Sequence, residues 1–167
     1  MKNQLEKTTH NQILYIAMLW LFLALAPAVA HGASNQVAVW IPWWAEEAGA
    51  EDAAAQIRDL DVIYPFVFEV EADGSLRNMV DFKDDHWEDL FDKADDRRVD
   101  VVPTVMWFAG SEIHEVLSDR RKRENHVEEI VDMVRKNRFD GVNIDYESKL
   151  AETIDYFSLF LKELEDE

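Results

Sequence analysis

The stretch Phe139-Asp140-Gly141-Val142-Asn143-Ile144-Asp145-Tyr146-Glu147 decides how the rest of the chain is read. It is short, β-branched at Val142 and Ile144, and alternates apolar with polar residues, which predicts a strand over 141–147. Successive side chains of a strand point to opposite faces. Asn143, Asp145 and Glu147 therefore share one face, and Val142, Ile144 and Tyr146 the other. The apolar face can pack under helices. The polar face carries two carboxylates in a row. In a low-dielectric interior both cannot ionise easily, so one is expected to stay protonated near neutral pH, as a general acid must. Glu147, furthest along the strand, is the expected acid, with Asp145 hydrogen-bonded to it or to a substrate. Taken alone, the same alternation favours an antiparallel strand whose polar face meets water, because one-sided antiparallel strands commonly alternate this way.

Working outward, three further apolar runs precede this one, at 37–44, 62–70 and 99–108, each rich in β-branched and aromatic residues and each read as a strand. Helical patterns separate them. An Ala-rich acidic segment covers 46–60. Trp87, Leu90, Phe91 and Ala94 form one stripe within 85–97. Val127, Ile130, Val131 and Val134 form another within 118–136. A last helix is expected over 151–164, with Ile154, Phe157, Leu161 and Leu164 on one face. Ala72-Asp73-Gly74-Ser75 is a turn signal. Strands alternating with helices predict an α/β fold with a parallel sheet and right-handed crossovers, either doubly wound or a (β/α)8 barrel. The first strand lacks the Gly-rich turn of a dinucleotide site. In a barrel, the polar face of 141–147 points inward and rises toward the C-terminal ends of the strands, where active sites sit.

Composition narrows the function classes. The chain has 35 acidic and 17 basic residues and a formal net charge of −18. Such a surface repels phosphate backbones, which argues against a nucleic-acid partner and leaves a neutral glycan compatible. There is no cysteine, hence no disulfide and no thiolate metal site. Residues 1–30 have the layout of a secretory signal peptide: Lys2 and Lys7, an apolar run from Ile13 to Ala26, then Ala28-Val29-Ala30. The rival reading is an uncleaved anchor, the one case in which a membrane becomes a partner. Either way a secreted or cell-envelope location is expected. His86, His114 and His126 lack metal-ligand spacing with one another and are expected at the surface or in caps. Asp84-Asp85 and Asp95-Asp96 lack the spacing of a calcium loop. No metal and no cofactor is expected. The basic run within 119–124 reads as a solvated helix face.

The nine residues from Phe139 to Glu147 resemble, position by position, the signature of glycoside hydrolase family 18, the chitinase-like enzymes. That signature runs aromatic or aliphatic, Asp, Gly, aliphatic, Asp or Asn, aliphatic, Asp, any residue, Glu. The Asn variant, here Asn143, recurs in the branch of spore-cortex-lytic, peptidoglycan-acting N-acetylglucosaminidases. Tyr64-Pro-Phe-Val-Phe68 with Ala72-Asp-Gly-Ser-Leu76, and Val101-Val-Pro103, look like the same branch, so the resemblance spans roughly 37–167. It implies a (β/α)8 TIM barrel. Such a barrel takes about 250 residues, so this chain is expected to carry about the first four β/α units of a truncated one, or a half that pairs with another copy.

The resemblance also implies an activity: hydrolysis of β-linked N-acetylglucosamine glycans, chitin or peptidoglycan, by substrate-assisted retaining catalysis. Glu147 would protonate the glycosidic oxygen. Asp145 would orient the 2-acetamido group, whose oxygen attacks the anomeric carbon. Asn143 completes the candidate catalytic set but cannot relay a proton as Asp could. Asp140 and Gly141 are given structural roles near the strand start. Because sugars stack on aromatic rings, Trp43, Trp44, Phe66, Trp107 and Tyr146 are the candidate substrate-binding residues, with core packing the competing role, above all for Phe66. The family's usual Ser-x-Gly-Gly stretch is replaced by Pro103-Thr-Val-Met-Trp107. The alternative functions are a catalytically silent glycan-binding protein of the chitinase-like lectin type, or an inactive gene fragment. Such lectins usually lose the acid, whereas Glu147 is present.

Overall fold

A computed structural model describes residues 35–167, so the leader read at 1–30 lies outside the described residues. Each of the four apolar runs forms a strand. The order in the sheet is β1 (Ala38–Pro42), β2 (Val62–Val70), β5 (Thr104–Trp107) and β6 (Asn143–Tyr146), all parallel. Helices α1 (Glu46–Ala55), α2 (Asp85–Arg97), α3 (Gly110–Ser118), α4 (Arg120–Asn137) and α5 (Ile154–Asp166) follow their strands in the chain. Four consecutive β/α units with parallel neighbours in chain order are an arc of a (β/α)8 barrel, as expected.

One core holds the arc together. Ile41, Ile63, Val67, Val105 and Tyr146 from the strands meet Trp87, Leu90, Ile113, Leu117, Ile130 and Phe160 from the helices. Phe82 sits among Phe68, Trp87, Phe91 and Phe139, with ring centroids 5.3–5.9 Å apart. Burying one such side chain stabilises by about 1.5–3 kcal/mol relative to leaving it in water.

Several boundaries depart from the sequence reading, for local reasons. The expected first strand stops at Pro42, and Trp43–Ala45 winds into a single 3-10 turn. The first helix ends at Ala55, with a second 3-10 turn at Ile57–Asp59. The run 99–108 is divided into β4 (Asp100–Val101) and β5 at Val102-Pro103, where proline has no N–H to give the ladder. Helix α3 was not expected. Its apolar residues are only Ile113, Val116 and Leu117, at the i, i+3, i+4 spacing of one helical face, and all three are fully buried. Asp119 accepts the Lys122 N–H at 3.0 Å and so starts α4 as a separate helix. Beyond the expected turn, β3 (Leu76–Asn78) folds back antiparallel on β2, with Gly74 at φ +92° making the reversal possible.

One irregularity reshapes the sheet face. Phe66 pairs with Thr104, but Phe68 pairs with Val105, so β2 holds one more residue than β5 over the same step. Val67 and Phe68 are both buried in the core, and Glu69 arrives opposite Met106.

Candidate functional site

The strand register decides which side chains look into the concave face. Thr104 pairs with Asn143 and Met106 with Asp145. In parallel strands, paired residues point the same way. Val105 and Trp107 with Ile144 and Tyr146 form the opposite, helix-facing set. At the base of the concave face, Asn143 Nδ2 donates to the buried Thr104 hydroxyl at 3.1 Å, which fixes the amide without a carboxylate partner. One pair further along stands Asp145, half-buried, and beyond it Glu147, exposed.

The end of β6 is held from two sides. The Glu147 N–H donates to the Trp107 carbonyl at 2.8 Å, which extends the pairing one residue past the strand. Ser148 then turns sharply with φ +56°. Its carbonyl passes so close to Gly110 that a Cβ there would stand 2.0 Å from the oxygen. Only glycine fits at the first position of α3, and this close approach fixes where the chain carrying Glu147 leaves the sheet.

Asp145 and Glu147 line an open groove of about 630 Å³ at the C-terminal ends of the strands, the end where barrels place their chemistry. Its opposite wall is aromatic. Trp40 stacks on Phe66 with centroids 5.3 Å apart, Trp44 meets Phe66 edge-on at 6.3 Å, and Trp43 meets Trp44 edge-on at 5.6 Å. Trp40 and Trp44 are 55% and 65% exposed, so their faces are available to a ligand. Pro42, Phe108, Met79, Met106 and Glu69 complete the lining, and Glu69 is ion-paired with Arg77.

Of the expected substrate-binding residues, Trp43, Trp44 and Phe66 therefore lie in the groove. Trp107 and Tyr146 do not. Trp107, 2% exposed, packs between Tyr146 and His126, with centroids 5.5 and 5.6 Å away. Tyr146, 4% exposed, stacks on Phe160 at 5.6 Å. Both belong to the helix-facing set, so their assignment to the substrate is corrected to the core. The groove's actual third-strand aromatic is Phe108, one residue on. Trp40, Pro42, Glu69, Met79, Met106 and Phe108 are the lining residues not named among the candidates. Counting by two from Asp145 and Glu147, and carrying that parity across the sheet, finds Phe108. Glu69 could not be found that way, because the extra residue in β2 changes the parity.

Asp140 and Gly141 precede β6. The Asp140 carboxylate accepts the Val101 N–H at 2.8 Å, and its own N–H donates to the Val101 carbonyl at 3.0 Å, a two-bond staple between the β6 approach and β4. A Cβ on Gly141 would meet only the Val102 methyls, at 3.8–3.9 Å, so packing there does not require glycine.

Two residues expected at the surface prove buried. His126, 1% exposed, lies behind the sheet. Its Nδ1 is 2.5 Å from the Gly74 carbonyl, which can only accept, so Nδ1 carries the proton and Nε2 accepts from the Tyr146 hydroxyl. Burial lowers the His126 pKa from 6.5 to about 4 and raises that of Tyr146 well above its ordinary value, so both are neutral at neutral pH. Arg123, expected on a solvated face, is also buried. It grips Glu163 of α5 through Nε (2.8 Å) and Nη2 (3.1 Å) and donates from Nη1 to the Leu117 carbonyl at 2.6 Å.

Comparison with known proteins places this arrangement. The model of "Glycosyl hydrolases family 18" matches residues 37–167. No curated protein matches the chain. Among solved structures, a class V chitinase from Pseudomonas fluorescens Pf-5 superposes with a TM-score of 0.71 at 20% identity, covering 80% of this chain and 41% of its own. The spore cortex-lytic enzyme SleL of Bacillus cereus superposes with a TM-score of 0.67 at 15% identity, covering 77% and 31%. A putative sporulation-specific glycosylase, ydhD of Bacillus subtilis, does so at 0.54 with 27% identity, covering 62% and 34%. The chain thus spans less than half the length of these relatives. With the family's model matched along nearly all the described residues and its strand-four carboxylates at the C-terminal end of a barrel arc, this chain belongs to glycosyl hydrolase family 18.

Proposed function

We propose that the groove binds glycans containing β-linked N-acetylglucosamine, chitin or peptidoglycan, and that Glu147 is the acid that cleaves them by substrate-assisted, retaining hydrolysis. The observation that carries this reading is one groove with Asp145 and Glu147 on one wall and Trp40, Trp44 and Phe66 on the other. A pyranose ring stacked on the aromatic wall presents its glycosidic oxygen and its 2-acetamido group to the carboxylates. Glu147, at the open end, donates its proton to the leaving oxygen. Asp145, deeper and half-buried, holds the acetamido N–H so that its carbonyl oxygen attacks the anomeric carbon. Bond cleavage and oxazolinium formation proceed together, and water later opens the intermediate with Glu147 as base. A secreted or cell-envelope setting, where such polymers occur, accords with the leader read at 1–30.

The test is turnover of a fluorogenic chitooligosaccharide and of purified peptidoglycan by the full chain and by Glu147→Gln. Loss of a positioned general acid is expected to lower kcat by about 10²–10⁴-fold while binding, followed by tryptophan fluorescence, persists. Saturable binding without turnover in the unmodified chain would favour the glycan-binding alternative. Turnover indifferent to Glu147→Gln, or no binding of either glycan, would overturn the assignment.

A further inference from the structure

A second cluster lies outside the groove, where the starts of α1 and α2 meet. Glu46 opens α1, immediately after the 3-10 turn that carries Trp43 and Trp44. Asp84 is the N-cap of α2, and His86 stands in its first turn. One ligand atom from each lies within 4.8 Å of the other two. Three features separate this trio from an ordinary polar surface. The His86 Nε2 atom is buried and makes no hydrogen bond among the described residues. Its separation from Glu46 Oε2 is 3.8 Å, too long for a hydrogen bond. It is close to the spacing of about 3.4 Å that two ligands reach when each stands about 2.1 Å from a shared tetrahedral ion. Asp84, although at a helix N-cap, makes no capping hydrogen bond with its side chain. A carboxylate at that position ordinarily accepts a first-turn N–H.

The remaining contacts suit the same role. Trp87 Nε1 donates to Glu46 Oε2 at 2.8 Å, the outer-sphere hydrogen bond that orients a ligating carboxylate. The partial positive charge of the α2 N-terminus opposes a cation, and Asp85 and Glu88 in that first turn offset it. An imidazole nitrogen beside two carboxylates suits a borderline divalent ion better than Mg²⁺ or Ca²⁺, which prefer all-oxygen shells.

We propose that Glu46, Asp84 and His86 form a binding site for a divalent transition-metal cation of the Zn²⁺ type. The ion clips the start of α1 to the start of α2 and so fixes the turn that presents Trp43 and Trp44 at the groove rim. Water completes its coordination on the exposed side, beside Asp84.

The test is isothermal titration of the untagged, EDTA-treated full chain with ZnCl₂, and separately with MgCl₂. One saturable Zn²⁺ site is expected, with at least tenfold weaker binding in His86→Gln and in Asp84→Asn, and with Mg²⁺ failing to compete. Zn²⁺ should also raise Tm in the unmodified chain and not in His86→Gln. Asp84→Asn removes no cap bond, so it guards against loss of binding through misfolding, and circular dichroism checks both variants. Glu147→Gln is the control for an ion held by the groove carboxylates and is expected to bind Zn²⁺ unchanged. No saturable Zn²⁺ binding, binding untouched by His86→Gln and Asp84→Asn, or binding lost in Glu147→Gln would each overturn the assignment.

Discussion

Gly110 lies directly against the carbonyl of Ser148, and a Cβ at Gly110 would stand 2.0 Å from that oxygen. Backbone, not a flexible side chain, is what it would strike. Gly110→Ala is therefore expected to push the β6 exit outward and destabilise the fold by about 1–3 kcal/mol, the range for overpacking. Denaturant melts should read that loss, and glycan binding should weaken with it, since Glu147 sits one residue before Ser148. Ser148→Gly removes the left-handed strain at φ +56° and is expected to stabilise by up to about 1 kcal/mol.

The buried His126 makes stability depend on acidity in a defined window. Its folded pKa is about 4 against an ordinary 6.5, so the unfolded chain takes up this proton first as the pH falls. The contribution of neutral His126 is complete above 6.5 and is lost progressively as the pH falls from 6.5 through about 4. At 1.36 kcal/mol per pH unit the loss is at most about 3 kcal/mol. Urea melts across this window should show the slope. His126→Gln, which does not titrate, should flatten it relative to the unmodified chain. Equal slopes in both would mean that His126 is already protonated in the fold or already exposed.

Arg123 and Glu163 should behave as an unequal pair. Removing Glu163 leaves a guanidinium that is nearly inaccessible to water, its side chain 5% exposed. Glu163→Ala is expected to destabilise by about 3 kcal/mol, toward the lower end for breaking a buried ion pair because Glu163 itself is partly solvated. The double variant Arg123→Met with Glu163→Leu should recover much of that loss, measurable as a double-mutant cycle on Tm.

The two tryptophans Trp40 and Trp107 separate binding from folding. Trp40→Ala should weaken chitooligosaccharide binding by about 1–2 kcal/mol, the scale of one aromatic contact with its buried area, and leave Tm nearly unchanged. Trp107→Ala should cost about 3–5 kcal/mol of stability through the cavity it leaves. The reverse pattern would mean that the strand faces have been assigned the wrong way round.

Strand-helix alternation and the face carrying Asn143, Asp145 and Glu147 were legible because both are periodic along the chain, and periodicity is what a sequence displays. What escaped reading depends on facts that are not periodic. Trp107 and Phe108 are adjacent, and which of them looks into the groove is set by pairing with β6, not by composition. His126 resembles any helical histidine until α4 is laid against Tyr146 and Gly74. Helix α3 was hidden by its length, two and a half turns with three apolar residues. Glu46, Asp84 and His86 are separated by as much as 40 positions, and only the packing of α1 on α2 brings them together.

The extra residue at Val67 makes β2 a strand with two conventions for inside and outside. Up to Phe66, even-numbered positions face the groove; from Glu69 onward, odd-numbered ones do. The two halves of the strand are therefore not interchangeable under a shift of one residue. Deleting Val67 would restore strict alternation and leave Phe68 opposite Val105 toward the helices and Glu69 opposite Met106 in the groove wall, so the sugar-facing surface is insulated from the length of the strand that carries it.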